Sequence, residues 1–331
     1  MITNKYILYL VVFKTLFASA TLCYFAIYLG FDMFTYPDFY TSYGNCEEKP
    51  YTNILYSELF CNLSTISGKD ITHRSLVFIF LAALINMLML VGYFKIFEEY
   101  LNEKGKYLLI FLFVIHPYIN IYFFRFYTEI FASLGIFLIL FYKIRNLHIN
   151  FFFVIAAIIL MNFRNALIPV FVFYCLYEIY SQLNKNNSKA LLYSSILITA
   201  SLLTYIPVME FSSKFISINS NVNFFEKIAY NIILAFGFRE SIGVSRDIFV
   251  LNEWFDVISF ATSMVLLTIH LTGLYGITKL SLRKDLSILV IFIYLVIPIL
   301  AVSHMRYLVP LIPVLLFGFS YIFFKNQAEQ R

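Results

Sequence analysis

Charge is scarce in this chain. Only 13% of its 331 residues are Asp, Glu, Lys or Arg, and 61% are hydrophobic. A soluble domain carries about 25% charge. The balance excludes a soluble enzyme with an anchor and predicts an integral membrane protein. Tryptophan is nearly absent, with Trp254 alone, while Tyr and Phe are abundant. The formal charge of +5 is scattered over short loops, so no nucleic-acid partner is expected. The signatures of soluble catalytic folds are missing too. There is no Walker A sequence, no glycine-rich dinucleotide turn, no His-Glu-x-x-His and no Gly-x-Ser-x-Gly elbow. No Cys/His spacing resembles a zinc site. ATP hydrolysis and nucleotide-cofactor chemistry are therefore not expected. No segment is long enough for a soluble nucleotide-sugar domain, so an activated donor must arrive through the membrane or from outside. A lipid-linked phosphate meets that condition.

Long apolar runs are what the chain does have. The first, Tyr6 to Gly30, is too long for a signal-peptide core, and no small-residue cleavage site follows it. It reads as a retained helix in which Lys14 either snorkels or faces the bundle. Further runs fall near 75–97, 107–124, 127–142, 151–162, 166–181, 190–210, 257–279, 286–301 and 307–324. The fold class expected is all-α, a polytopic transmembrane bundle of about ten spans. It forms a single domain, 1–331, with two long extracytoplasmic loops, 31–74 and 211–256. Each loop is expected to carry a short interfacial helix, near 51–60 and 223–236. The runs flanking Arg164 are short of the roughly 20 residues a crossing needs. They read as broken or re-entrant helices around that arginine, lining a cavity.

With the N-terminus in the cytoplasm, the loops 98–106, 143–150, 182–189, 280–285 and 325–331 all fall inside. They and their neighbours are rich in lysine, as the positive-inside rule requires. Arg74, Arg125, Arg164, Arg239, Arg246 and Arg306 fall outside or at the outer ends of spans. Arginine grips phosphate through a planar fork and stays charged when buried. One reading is that each caps a helix or pairs with a local acid. The set favours an anionic ligand on the outer face, and membrane depth makes Arg306 costly without a partner.

The first loop holds Asp32 directly after the first span, where a carboxylate stands on a fixed stem at the membrane surface. Asp38 follows, and Tyr36 has a ring suited to stacking on a sugar face. Cys46 and Cys61 lie in the same loop. Outside the cytoplasm they are expected to form a disulfide, worth roughly 3 kcal/mol for a loop of about 15 residues. Glu129 stands four residues from Arg125, a spacing that allows an ion pair on one helix. It either orients an acceptor or makes that pair. His116 reads as a cap or packing residue, and His270 as a buried one.

Three stretches carry a resemblance. The acid after the first span is similar to the first-loop aspartate of GT-C-type membrane glycosyltransferases. His116-Pro117-Tyr118 with Phe126-Tyr127-Thr128-Glu129-Ile130-Phe131 resembles the proline-then-Tyr-Thr-Glu segment of multispanning mannosyltransferases in that superfamily. Arg306-Tyr307-Leu308-Val309-Pro310-Leu311-Ile312-Pro313 resembles their C-terminal Arg-aromatic-x-x-Pro-x-x-Pro span. Size and composition also look like the transferases and polymerases of bacterial surface-polysaccharide (O-antigen) assembly.

The resemblance implies sugar transfer from a polyprenyl phosphate or pyrophosphate donor to a glycan or glycolipid hydroxyl. It places the reaction at the outer face of the bacterial cytoplasmic (inner) membrane, beside other polysaccharide-assembly proteins. Asp32 would act as base or orient the acceptor. Arg306 and Arg164 would hold the departing phosphate, with Arg125 and His304 next, while Arg239 either reaches a headgroup or pairs with the neighbouring acids Glu240 and Asp247. No cofactor is required by the residues. A divalent metal stays open, although Met33 follows Asp32 where the family often has a second acid. Two alternatives use the same features: a repeat-unit polymerase, and a lipid-linked sugar transporter or flippase. The latter predicts internal repeats, and the sequence has none.

Overall fold

The computed structural model describes residues 5–28, 55–56, 58–59, 71–117, 119–120, 128–183, 187–216, 254–284 and 308–326. Among them the structure is helical, without strands. The helices are α1 (Lys5–Tyr28), α2 (Ile71–Phe97), α3 (Glu103–Ile115), α4 (Glu129–Ile144), α5 (Phe151–Phe163), α6 (Leu167–Leu183), α7 (Ser188–Ile216), α8 (Trp254–Lys284) and α9 (Ile312–Phe324). Leu55, Tyr56, Glu58 and Leu59 are helical as well, inside the stretch read as a short loop helix. The apolar run 286–301 and the stretch 223–236 lie outside the described residues.

Local chemistry sets the helix ends. Asn102 caps α3 by accepting from the Gly105 N–H at 2.9 Å, and Asn150 caps α5 by accepting from the Phe153 N–H at 3.1 Å. Proline stops α3 early. Within the run read as 107–124, α3 ends at Ile115 because Pro117 disfavours helical backbone at His116, and the described residues Pro117, Ile119 and Asn120 are helical again. After α4, Asn146 takes a left-handed φ of 51°. The Leu147 N–H then reaches back to the Tyr142 carbonyl at 2.8 Å, and the Asn146 N–H to Lys143 at 3.1 Å. That pair of bonds satisfies the carbonyls at the helix end.

Polar contacts gather the lysine-rich ends into one end of the bundle. Lys5 pairs with Glu103 at 3.6 Å, and the Tyr6 hydroxyl bonds the same carboxylate. Arg145 pairs with Glu99 at 3.2 Å. The Asn102 N–H donates to the Phe324 carbonyl at 3.0 Å, and the Asn326 N–H to Tyr100 at 2.9 Å. Glu178 in α6 faces His148, just before α5, at 3.2 Å, and Gln182 donates to that carboxylate at 3.1 Å. These contacts make α1 and α3 parallel neighbours and fold α5 and α6 into an antiparallel hairpin.

Helices α8 and α9 run parallel at very close range. A Cβ on Gly276 would stand 2.1 Å from the Gly318 carbonyl oxygen, and one on Gly318 equally close to that of Gly273. Only glycine lets the two backbones meet this way. Beside them, Phe97 stacks on Phe317 with centroids 3.9 Å apart, in a core that includes Tyr93, Phe94, Phe113 and Tyr321.

One described stretch, Phe80–Tyr100, is long and apolar enough to cross a membrane. Shorter apolar helices are Phe151–Phe163, Leu167–Gln182, Ser188–Thr204, Met264–Leu280 and Val309–Phe324. Large apolar side chains face outward all round, among them Leu16, Phe80, Leu88, Phe152, Tyr180 and Leu203. A water-facing surface seldom carries so much contiguous apolar area.

Candidate functional site

Helix α4 starts at Glu129, where the unsatisfied N–H groups of a first turn favour a carboxylate. Helix α5 ends at Arg164, whose backbone leaves the helix in an extended conformation (φ −147°, ψ 101°). The chain turns there, with the Leu167 N–H bonded to the Arg164 carbonyl at 3.0 Å and α6 departing. The turn aims the guanidinium at the start of α4. Arg164 Nη2 lies 3.2 Å from Glu129 Oε1, and Arg164 Nη1–H donates to Thr128 Oγ1 at 3.0 Å. Thr128 Oγ1–H in turn donates to Glu129 Oε2 at 3.3 Å. The Glu129 side chain is fully buried and that of Arg164 nearly so.

Apolar walls surround this pair. Phe131 stacks on Phe163 with centroids 4.1 Å apart, and Tyr56 meets Phe131 edge-on. Ala82 and Ile130 complete the cluster. One turn along α4 from Glu129, Ser133 Oγ–H donates to the Pro310 carbonyl at 3.1 Å, and the Tyr93 hydroxyl donates to the Ser133 carbonyl at 2.8 Å. The chain leading into α9 is thereby pinned beside the pair. A buried ion pair of this kind is costly to break from one side, because the remaining charge is left in a dry site.

Two of the residues singled out from sequence, Glu129 and Arg164, are thus brought into direct contact. Glu129 meets Arg164, just past the end of α5, and Thr128 beside it. Asp32, Tyr36, Asp38, Arg125, Arg239, His304, Arg306, Cys46 and Cys61 lie outside the described residues. Around Arg164 the two short helices form a hairpin with a tight turn. Lys14 faces the bundle: it is fully buried, and its ammonium donates to the Phe113 carbonyl at 3.0 Å and to Asn120 Oδ1. Among the described residues no three His, Cys, Asp or Glu side chains come together as metal ligands.

Two associations were not legible in the sequence. Thr128 bridges the two members of the ion pair, and its place beside Glu129 was the only signal. His116 and His270 meet in the interior with their Nε2 atoms 3.1 Å apart, and no local pattern joins them. Compared with protein-family models, with curated proteins and with solved structures, the chain finds no match.

Proposed function

We propose that this protein is a multi-pass glycosyltransferase of the cytoplasmic membrane. It would move a sugar or oligosaccharide from a polyprenyl-linked phosphate donor to an acceptor hydroxyl at the outer face. The observation that carries the reading is the buried Arg164–Glu129 pair at the hairpin turn, in the half of the bundle opposite the lysine-rich end. Helix α5 has 13 residues, so at 1.5 Å per residue it rises about 20 Å. With its first turn at the inner interface, Arg164 would stand within the outer part of a hydrocarbon core about 30 Å thick. A cation at that depth suits an anionic lipid headgroup better than water.

Arg125 precedes Thr128 by one helical turn's worth of chain, and Arg306 precedes Leu308 by two residues. In this reading, the acceptor hydroxyl attacks the anomeric carbon while Asp32 takes its proton. The C–O bond to the donor phosphate breaks, and Arg306 and Arg164 stabilise the charge left on the phosphate. Glu129 holds the Arg164 fork in place. The outward apolar surface and the single-ended lysine cluster support membrane embedding.

A gel of surface glycolipids from cells with and without the gene tests this. A shortened or altered repeat unit is the expected result. Loss of the long ladder with a single-repeat band left behind would instead favour the polymerase. An unchanged pattern would overturn both.

A further inference from the structure

A groove of about 860 Å³ runs between α1 and α3. Tyr9, Phe13 and Phe17 stand four residues apart on α1, and Tyr107, Phe111 and Ile115 four apart on α3. Each trio therefore forms one stripe along its helix. The six are exposed, while Ile110 and Val114 are buried at the floor. At 1.5 Å per residue the stripes are about 12 Å long. That is close to one leaflet, half of a hydrocarbon core about 30 Å thick.

The groove changes character along its length. Tyrosine rings gather where α1 and α3 begin: the Tyr107 centroid lies 5.3 Å from that of Tyr6 and 6.3 Å from that of Tyr9. Beyond them the lining is Phe, Leu, Ile and Val, without a polar side chain. Cations surround the tyrosine end. Lys5 Nζ stands 5.0 Å and Lys106 Nζ 5.4 Å from the centre of the Tyr6 ring. Lys104 is three residues before Tyr107, on the same face of α3. Glu103 is the acid beside them, and Lys5 and the Tyr6 hydroxyl engage it. Lys104 and Lys106 make no ion pair among the described residues. A cationic mouth, a tyrosine collar and an apolar trough follow the order of a lipid's phosphate, glycerol and acyl chain. The excess of lysine fits an anionic headgroup, since basic patches at the cytoplasmic face attract anionic lipid.

We propose that this groove binds an anionic phospholipid of the inner leaflet, with an acyl chain against Phe13, Phe17 and Phe111 and the phosphate held by Lys104 and Lys106. The site requires a chain embedded in the membrane and is independent of sugar transfer. Arg164, assigned to the donor phosphate, stands at the other end of the bundle, so the groove is a second lipid site. Each lysine at the headgroup favours the anionic lipid over a zwitterionic one by roughly fivefold.

The test places a fluorescent reporter in the groove. Trp254→Phe removes the native tryptophan, and Phe111→Trp then supplies one between the helices, with Phe13→Trp in reserve if that variant is poorly folded. Phe152→Trp, at an exposed position of α5, is the control. The full chain is reconstituted in vesicles of phosphatidylcholine with a minority of phosphatidylglycerol. Bromine, a short-range quencher, is carried on the acyl chains of the phosphatidylglycerol in one set and of an equal amount of phosphatidylcholine in the other. Both leaflets hold the same lipids, so the result does not depend on which end of the bundle faces the cytoplasm. Brominated phosphatidylglycerol should quench the groove reporter at least about twofold more than brominated phosphatidylcholine. The control should be quenched equally by both. Adding Lys104→Gln and Lys106→Gln should remove the preference and leave the control unchanged. Equal quenching in the groove, or a preference that survives loss of the lysines, would overturn the site. So would a groove reporter that neither lipid reaches while the control is quenched, because protein would then cover the groove. Quenching of neither reporter would overturn membrane embedding, and the site with it.

Discussion

Arg164 reaches Glu129 from the turn of a helical hairpin, with Nη2 3.2 Å from Oε1 and Nη1–H donating to Thr128 between them. The geometry joins the end of α5 to the start of α4, so the pair positions the hairpin as well as its own charges. Replacing one member should leave the other buried and uncompensated. Arg164→Gln or Glu129→Gln alone should lower unfolding stability in nanodiscs by about 3–5 kcal/mol. The double variant should lose clearly less than the sum of the two. Strict additivity would mean that the two side chains do not depend on one another.

Gly276 and Gly318 make a second prediction, independent of any activity. A Cβ at either position would stand 2.1 Å from a carbonyl oxygen of the facing helix. Backbone cannot yield as a flexible side chain can, so even alanine should separate α8 from α9. Gly318→Ala should cost at least ~1–3 kcal/mol, the usual range for overpacking. Thermal unfolding of the purified protein measures this. A midpoint equal to wild type would show that the two helices do not meet this closely.

Much of the helical frame was legible because apolar runs are bounded by recognisable stops. The run 151–162 appears as Phe151–Phe163 after an Asn150 cap, and 166–181 as Leu167–Leu183. Boundaries slipped where helices continue past the apolar stretch. The run 190–210 is part of Ser188–Ile216, and 257–279 of Trp254–Lys284, so the second long loop, read as 211–256, begins and ends on helical residues. Glu129 and Arg164 both stood out as charges in apolar surroundings. Their pairing did not, because Arg125 stands nearer to Glu129 in the sequence and only the hairpin turn delivers Arg164. The His116–His270 contact depends on two helices far apart in sequence and left no periodic trace.

Lys14 provides a third prediction. Its ammonium is fully buried between the Phe113 carbonyl and Asn120 Oδ1. Lys14→Met keeps the side-chain length but withdraws the donor from both acceptors. Stability should fall by about 1–3 kcal/mol, the cost of stranding buried polar atoms. Adding Asn120→Leu should restore part of the loss. If the second change only deepens the loss, the two side chains are not energetically linked.

Sidedness can be read with the native cysteines. Cys46 and Cys61 belong to the loop assigned to the outer face, and Cys175 is buried in α6. If the disulfide expected between the first two forms, a membrane-impermeant maleimide should label them in intact cells only after reduction. A Cys46→Ser variant should be labelled at Cys61 without reduction. A cysteine replacing Lys104 should react only once the membrane is permeabilised. Labelling of position 104 in intact cells would reverse the proposed orientation.

In the proposed function, Asp32, Arg306 and the Arg164–Glu129 pair act together at the outer face to transfer a lipid-linked sugar. The most direct measurement places Asp32→Asn and Arg306→Ala back into cells lacking the gene, then compares surface glycolipids and membrane protein levels with a wild-type rescue. Both variants should insert at wild-type levels and leave the glycolipid defect unrepaired. Full repair by both, at normal protein levels, would contradict the account.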